Sequence, residues 1–268
     1  LVAPAGLAEL AAGVVPVRDA TVFPADVQLL FIRGVKNAYP AETALRDIRR
    51  VDFMRGEETQ IMGLLAHPGA PAPPFTAVVL SSHTKYVPVD ADGRIVGSLT
   101  TLSGQLFEAI RHGTSIGKSI ETPEAGPETP DLAVVDVAYD AVAEAGFLRS
   151  LLMPRFMEVL LGIPAPLRRC FLEAAIAAED LRALREFPLL GFALDTPVVL
   201  VGPQPRCAIF RYLLARHSGI AREISEVSRV EEVDRLAILG ALAVAQRAGY
   251  LSHIPSLWKK GGAADSPS

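Results

Sequence analysis

"FTAVVLSSHTKYVPVDADGRIVGSLTTLSGQLFEAI", Phe75 to Ile110, decides what kind of architecture this chain can adopt. Three short apolar runs, Phe75–Leu80, Lys85–Asp90 and Arg94–Thr101, are separated by polar turns, the second of them Asp-Ala-Asp-Gly. Short β-rich runs joined by such turn signals predict an antiparallel meander of three strands. A helix is predicted next, from Ser103 to about His112, with Leu106 and Ile110 on one face and the Ser103 hydroxyl placed to cap it.

Beyond that stretch, "ETPEAGPETPD" (Glu121–Asp131) carries too many prolines for a helix or central strand and reads as a loop. Helical spacing follows over Val134–Leu161, with a break expected near Pro154, and over Ala165–Arg185. The last third then alternates: strand Pro197–Gly202, helix Cys207–Gly219, strand Arg222–Val227, helix Val233–Gly249. Upstream, "VQLLFIRGV" (Val27–Val35) reads as a buried strand, and Glu57–Ala66 as a helix ended by "HPGAPAPP" (His67–Pro74), a natural boundary between domains. The fold class is therefore α/β, with a mixed sheet of a three-stranded meander plus βαβα. That element order resembles one ribonuclease H-like lobe of the actin-like ATPases, a superfamily that includes sugar kinases and Hsp70. Residues 1–70 are then the remainder of an amino-terminal lobe. Residues 71–256 form the carboxy-terminal lobe with a helical insertion at 121–190, and 257–268 a disordered tail.

Composition excludes several functions. The 268 residues are 50% hydrophobic and 21% charged, enough to bury a sizeable core. A net charge of -4 with no block of basic residues argues against nucleic acid, whose phosphates demand a concentrated basic surface. Only Cys170 and Cys207 are present, which fits a reducing cytoplasm and excludes a cysteine zinc site. Mean hydropathy is high at +0.31, yet no uncharged apolar run is long enough to span a bilayer. The histidines lack ligand spacing, so no protein-held metal site is expected. The opening "LVAPAGLAELAAGVV" has neither the basic start nor the cleavage pattern of a signal peptide, and the chain is expected to begin inside something longer.

"MRGEETQIMG" (Met54–Gly63) resembles, almost letter for letter, a stretch of the 2-dehydro-3-deoxygalactonokinases. Further matches keep that family's order. "VLSSHTKYV" (Val79–Val87) is similar to its Pro-Gly-Thr-His-Ser-Lys-Trp segment, "TTLSGQLFEAI" (Thr100–Ile110) to its Met-Thr-Gly-Glu-Leu stretch, and "AAIAAE" (Ala174–Glu179) to Leu-Leu-Ile-Gly-Ala-Glu. "VVLVGPQPRCAIFRYLL" (Val198–Leu214) resembles the turn and helix on the adenosine side. The family's opening Asp-Trp-Gly-Thr hairpin has no counterpart here, which implies a fragment or a shortened relative with little turnover.

The resemblance implies ATP-dependent phosphorylation of the 6-hydroxyl of 2-dehydro-3-deoxy-D-galactonate, with Mg2+ bridging the phosphates and lobe closure excluding water. Glu57 is the first candidate base and Glu58 the second, with Arg55 balancing their charge or gripping the sugar-acid carboxylate. The competing reading is a helix start whose acids complement the dipole. Ser81 and Ser82, with His83 and Lys85 as further donors, stand where the family's phosphate turn has glycine and threonine; serine allows close backbone approach less readily. Gly104 follows Ser103, whose alternative is an ordinary N-cap, and Gln105 replaces a glutamate. Gly202 falls at the adenosine turn, although Pro203 and Pro205 also suit a plain strand-to-helix turn. Glu179 either points into the cleft or is an exposed helical acid. Two rival functions stay open: a catalytically inactive relative that binds a sugar acid or a protein partner, and a kinase for another sugar acid. Assembly of several copies also stays open.

Overall fold

The computed structural model describes residues 1–19, 21–24, 27–121, 129–193, 195–218 and 223–252. The chain opens with helix α1 (Leu7–Ala12) and a two-stranded ribbon of β1 (Val15–Val17) and β2 (Leu29–Phe31). A second small ladder pairs β3 (Val35–Lys36) with β4 (Phe53–Met54). Helix α2 (Glu57–Leu64) then leads into three strands, β5 (Phe75–Leu80), β6 (Thr84–Val89) and β7 (Leu99–Thr101). A run of helices follows: α3 (Ser103–Gly113), α4 (Ile116–Ile120), α5 (Leu132–Ala145), α6 (Phe147–Ser150), α7 (Met153–Val159), α8 (Ala165–Ala183) and α9 (Phe187–Leu190). The chain returns to the sheet through β8 (Val198–Val201), α10 (Gln204–His217), β9 (Ile224–Val227) and α11 (Val230–Arg247).

The main sheet has the order β7-β6-β5-β8-β9. β5, β6 and β7 are antiparallel neighbours, with Val78 opposite Tyr86 and Lys85 opposite Thr100. β8 and β9 add on in parallel, with Val78 opposite Leu200 and Leu200 opposite Glu226. Parallel neighbours need a crossover, and α10 supplies it between β8 and β9. Helices cover both faces, so every residue of β5, β6 and β8 is buried. Side chains alternate between the faces along each strand. Val78, Leu80, Tyr86 and Leu200 meet α5, α8 and α10, where Phe187 stands edge-on to Tyr86 with centroids 5.9 Å apart. Phe75, Ala77, Val79, Val199 and Val201 face the other way, onto Leu10, Ile61, Leu64, Leu236 and Val244. Residues preceding His67 therefore share a core with the sheet.

Across that second face, α2 and α11 touch backbone to backbone. A methyl group on Gly63 would lie 2.0 Å from the Leu236 carbonyl oxygen, and one on Gly240 would lie 1.8 Å from that of Thr59.

Several expectations are corrected. Val27–Val35 is not one buried strand: β2 and β3 belong to separate ladders, and Phe31 is 55% exposed because the β1–β2 ribbon has no layer packed over it there. The expected strand over Arg94–Thr101 shrinks to β7, while Ile95 makes isolated bridges to Ala5 and Val89. The long helix breaks near Pro154 as expected, between α6 and α7, with Pro154 in the first turn of α7, where a missing N–H costs nothing, and it breaks once more at Gly146 (φ 84°). Pro205 likewise lies in the first turn of α10, which begins three residues earlier than expected. Most of the expected loop, 122–128, and the expected tail, 257–268, lie outside the described residues.

Candidate active site

β5 and β8 run parallel and end together at Leu80 and Val201, and a cavity of about 470 Å³ opens beyond these carboxyl ends. Crevices at that end of parallel strands are where open α/β sheets receive ligands. The β5–β6 turn contributes Ser81 and Ser82, α3 contributes Gly104, α8 contributes Asp180, the β8–α10 turn contributes Gly202, and the first turn of α10 contributes Arg206. Two glycines let these pieces close up. A methyl on Gly104 would lie 2.2 Å from the Ser81 carbonyl oxygen, and one on Gly202 would lie 2.5 Å from that of Leu80. The walls are largely apolar, including Phe107, Ile176, Ile209 and Phe210. At the rim, Arg169 stacks over the Phe107 ring (5.5 Å to its centroid) and pairs with Glu173 at 3.0 Å.

Asp180 is the most heavily buried acid at the site, 4% exposed on the inner face of α8. Its Oδ1 accepts hydrogen bonds from Thr101 Oγ1 at 2.6 Å and from Ser103 Oγ. Its Oδ2 is buried with no hydrogen-bond partner among the described residues. Burial pushes the carboxyl above its ordinary range; the hydroxyls of Ser103, Thr101 and Thr84 and the charge of Arg206 oppose that rise. Arg206 donates through Nη1 to the Ser81 carbonyl at 2.6 Å and through Nη2 to Thr84 Oγ1 at 3.4 Å. Burial lowers its pKa, against the attraction of Asp180.

Ser81, Ser82, Gly104 and Gly202, which stand far apart in the sequence, thus meet at one cavity. The other expected site residues do not line it. Lys85 is 7% exposed, and its Nζ donates to the Phe53 carbonyl (3.0 Å) and to Thr100 Oγ1 (2.9 Å), fastening β6 to β4 and β7. His83 holds its Nδ1 3.1 Å from Ser82 Oγ just outside the lining. Arg55 is exposed and borders a separate open cleft with Arg33 and Lys36.

The two acids of α2 fold back on their own chain. Glu57 Oε2 accepts from the Arg55 N–H at 3.2 Å, and Glu58 Oε2 from the Gly56 N–H at 2.7 Å. Gly56 takes φ 110°, a conformation open to glycine, and so brings its N–H round to Glu58. Glu58 is 2% exposed, and burial raises its pKa despite that backbone hydrogen bond. Glu57 is half-buried, and Gln60, one turn further along α2, reaches the cavity wall.

Sequence reasoning passed over Asp180 and Arg206. An acid amid the buried positions Ala177, Ala178 and Leu181 was a usable signal. So was an arginine in the first turn of a helix, where the dipole disfavours a cation. Ser103, expected as an N-cap, makes no capping hydrogen bond and spends its hydroxyl on Asp180.

Mixed sheet, helical layers on both faces and a crevice beyond parallel strands define an α/β protein with a cavity where such sheets receive ligands. The same fold occurs in a crystal structure from Sinorhizobium meliloti described as a 2-dehydro-3-deoxygalactonokinase, with a TM-score of 0.70, 24% identity, and 92% of this chain and 73% of that one covered. The chain belongs to the 2-keto-3-deoxy-galactonokinase family, whose model matches residues 1–240. A relative from Rhizobium meliloti (strain 1021) carrying the name 2-dehydro-3-deoxygalactonokinase DgoK1 is 33% identical over 117 residues, 44% of this chain and 33% of that protein. The matched part of the chain spans about a third of the length of that curated relative. Among the described residues, no helix is long and apolar enough to cross a membrane.

Proposed function

We propose that the chain carries the nucleotide side of a sugar-acid kinase, transferring the γ-phosphoryl group of ATP to the 6-hydroxyl of 2-dehydro-3-deoxy-D-galactonate. The observation that carries the reading is the meeting of Ser81, Ser82, Gly104 and Gly202 at one cavity beyond β5 and β8. The sheet order β7-β6-β5-β8-β9, a meander followed by two parallel strands, supports assignment to the ribonuclease H-like lobe of actin-like ATPases. On this reading residues 71–256 are that carboxy-terminal lobe, and residues 1–70 are the remainder of an amino-terminal lobe packed on its far face.

Phosphoryl transfer depends mainly on positioning and on neutralising charge. The apolar wall of Ile209, Phe210 and Ile176 suits a nucleobase, and the backbone of the Ser81–Ser82 turn suits phosphate oxygens. No cluster of three or more acids, histidines or cysteines among the described residues could cage a metal ion, so no step is assigned to protein-held Mg2+. Glu57 is the base of choice over Glu58. It lies one helical turn from Gln60 at the cavity wall and is half-buried, whereas Glu58 is sealed against Gly56. Arg55 would grip the carboxylate of the sugar acid from the separate cleft it shares with Arg33 and Lys36.

The test is titration of the protein with ADP and ATP, followed by ADP release in the presence of the sugar acid. Glu57→Gln is expected to keep nucleotide affinity and lose turnover by about 10²-fold or more, the usual worth of a general base. Unchanged turnover removes Glu57 from the role. No affinity for either nucleotide removes the kinase reading.

A further inference from the structure

The β5–β6 turn reaches its shape without glycine, since no non-glycine residue of the described chain has a positive φ. Two contacts fix its peptides. Arg206 Nη1 holds the Ser81 carbonyl at 2.6 Å, and the Gln105 N–H holds the Ser82 carbonyl at 2.7 Å. In a trans peptide the N–H points opposite to the C=O. Anchoring these two carbonyls therefore turns the Ser82 and His83 N–H groups away from their anchors, and neither donates to any group among the described residues. Gly104 lets the turn sit directly on the start of α3, so the turn has little room to rotate.

Arg206 is an unexpected anchor, because a cation in the first turn of α10 faces the positive end of the helix dipole. The negative charges of Asp180, whose Oδ1 is fixed by Thr101 and Ser103, and of Glu173 offset this. Thr84, whose Oγ1 accepts from Arg206, belongs to the same polar cluster. Resting on the nucleotide reading above, we infer that Arg206, steadied by the charge of Asp180, is a positioning residue: acting through the Ser81 carbonyl it presents the Ser82 N–H to the phosphate oxygens of a nucleoside di- or triphosphate, while the Gln105 N–H on the Ser82 carbonyl does the same for the His83 N–H. The serine pair thereby performs through anchoring what a glycine turn performs through conformational freedom.

The experiment uses the whole chain and the double variant Asp180→Leu/Arg206→Leu, since replacing the buried carboxylate together with the arginine whose charge it offsets spares the fold better than removing one of them. ADP and adenosine are titrated into each protein. The double variant is expected to bind ADP about tenfold more weakly while adenosine affinity changes by less than about twofold, the loss of one charge-assisted interaction confined to the phosphates. Arg206→Lys, which can still reach one carbonyl, is expected to recover part of the loss. Equal ADP affinity in wild type and double variant overturns the proposal. So does an equal loss for adenosine. The backbone amide resonances of Ser82 and His83, followed without ligand, are expected to shift and broaden in the double variant. Unchanged resonances overturn the positioning role even where ADP affinity falls. Absence of ADP binding by the wild type condemns the nucleotide reading instead, and the amide resonances then decide the positioning by themselves.

Discussion

The first turn of α2 and the floor of the cavity each bury a carboxylate, and they satisfy it in opposite ways. Glu58 bends back to the N–H of Gly56, two residues away. Asp180 draws its hydroxyl donors from Thr101 and Ser103, which precede it by 79 and 77 residues. The first arrangement is complete as soon as one helical turn forms. The second exists only when α8, β7 and the start of α3 have all docked, and even then Oδ2 goes unpartnered. A buried acid that the fold leaves half-satisfied is held at a cost, and such costs concentrate where a chain does chemistry or positions groups for it.

That contrast can be broken by substitution. The largest effect is expected from Asp180→Leu alone. It strands the hydroxyls of Thr101 and Ser103 and leaves Arg206 without its counter-charge, and should cost about 3 kcal/mol in chemical denaturation. A loss below about 1 kcal/mol would mean that the cluster contributes little to the fold. Ser103→Ala removes one hydrogen bond to the same carboxylate and should cost about 1–2 kcal/mol, with the adenosine affinity retained. Glu58→Gln is the smallest change and should have the opposite sign. Because burial raises the folded pKa of Glu58, the folded protein takes up this proton more readily than the unfolded chain. The acid's contribution is therefore most favourable below its unfolded pKa and is lost as the pH rises through the folded value. Glutamine keeps an acceptor for Gly56 without the charge, so Tm should rise by roughly 2 °C near pH 8 and the gain should shrink on acidification. A gain that grew towards acid pH would refute the assignment.

The same contrast explains what could be read from the chain beforehand. β5, β6, α3, α8, α10 and α11 announce themselves because each is a local pattern: an apolar run between turn signals, or a face repeating every three to four residues. The turn Ser81–Ser82 and the glycines 104 and 202 could be named in advance from their likeness to a known family. Their meeting at one cavity depends on strand order. Val27–Val35 misled because apolar character was taken for burial, and among the described residues no layer covers Phe31, which is 55% exposed. Lys85 misled because its charge looked available, whereas its Nζ is committed to Phe53 and Thr100 across two strands. Asp180 and Arg206 escaped notice for the reason that makes them informative: their donors, acceptors and counter-charges come from other elements.

The bare-backbone crossing of α2 and α11 ties distant positions to the mouth of the cavity. Thr59, whose carbonyl abuts Gly240, lies between Glu57 and Gln60, and Val233 near the start of α11 reaches the same cavity. Even an alanine at 240 would wedge the two rods apart, and the displacement would reach at once the core that both share with the sheet and the cavity wall formed by Gln60 and Val233.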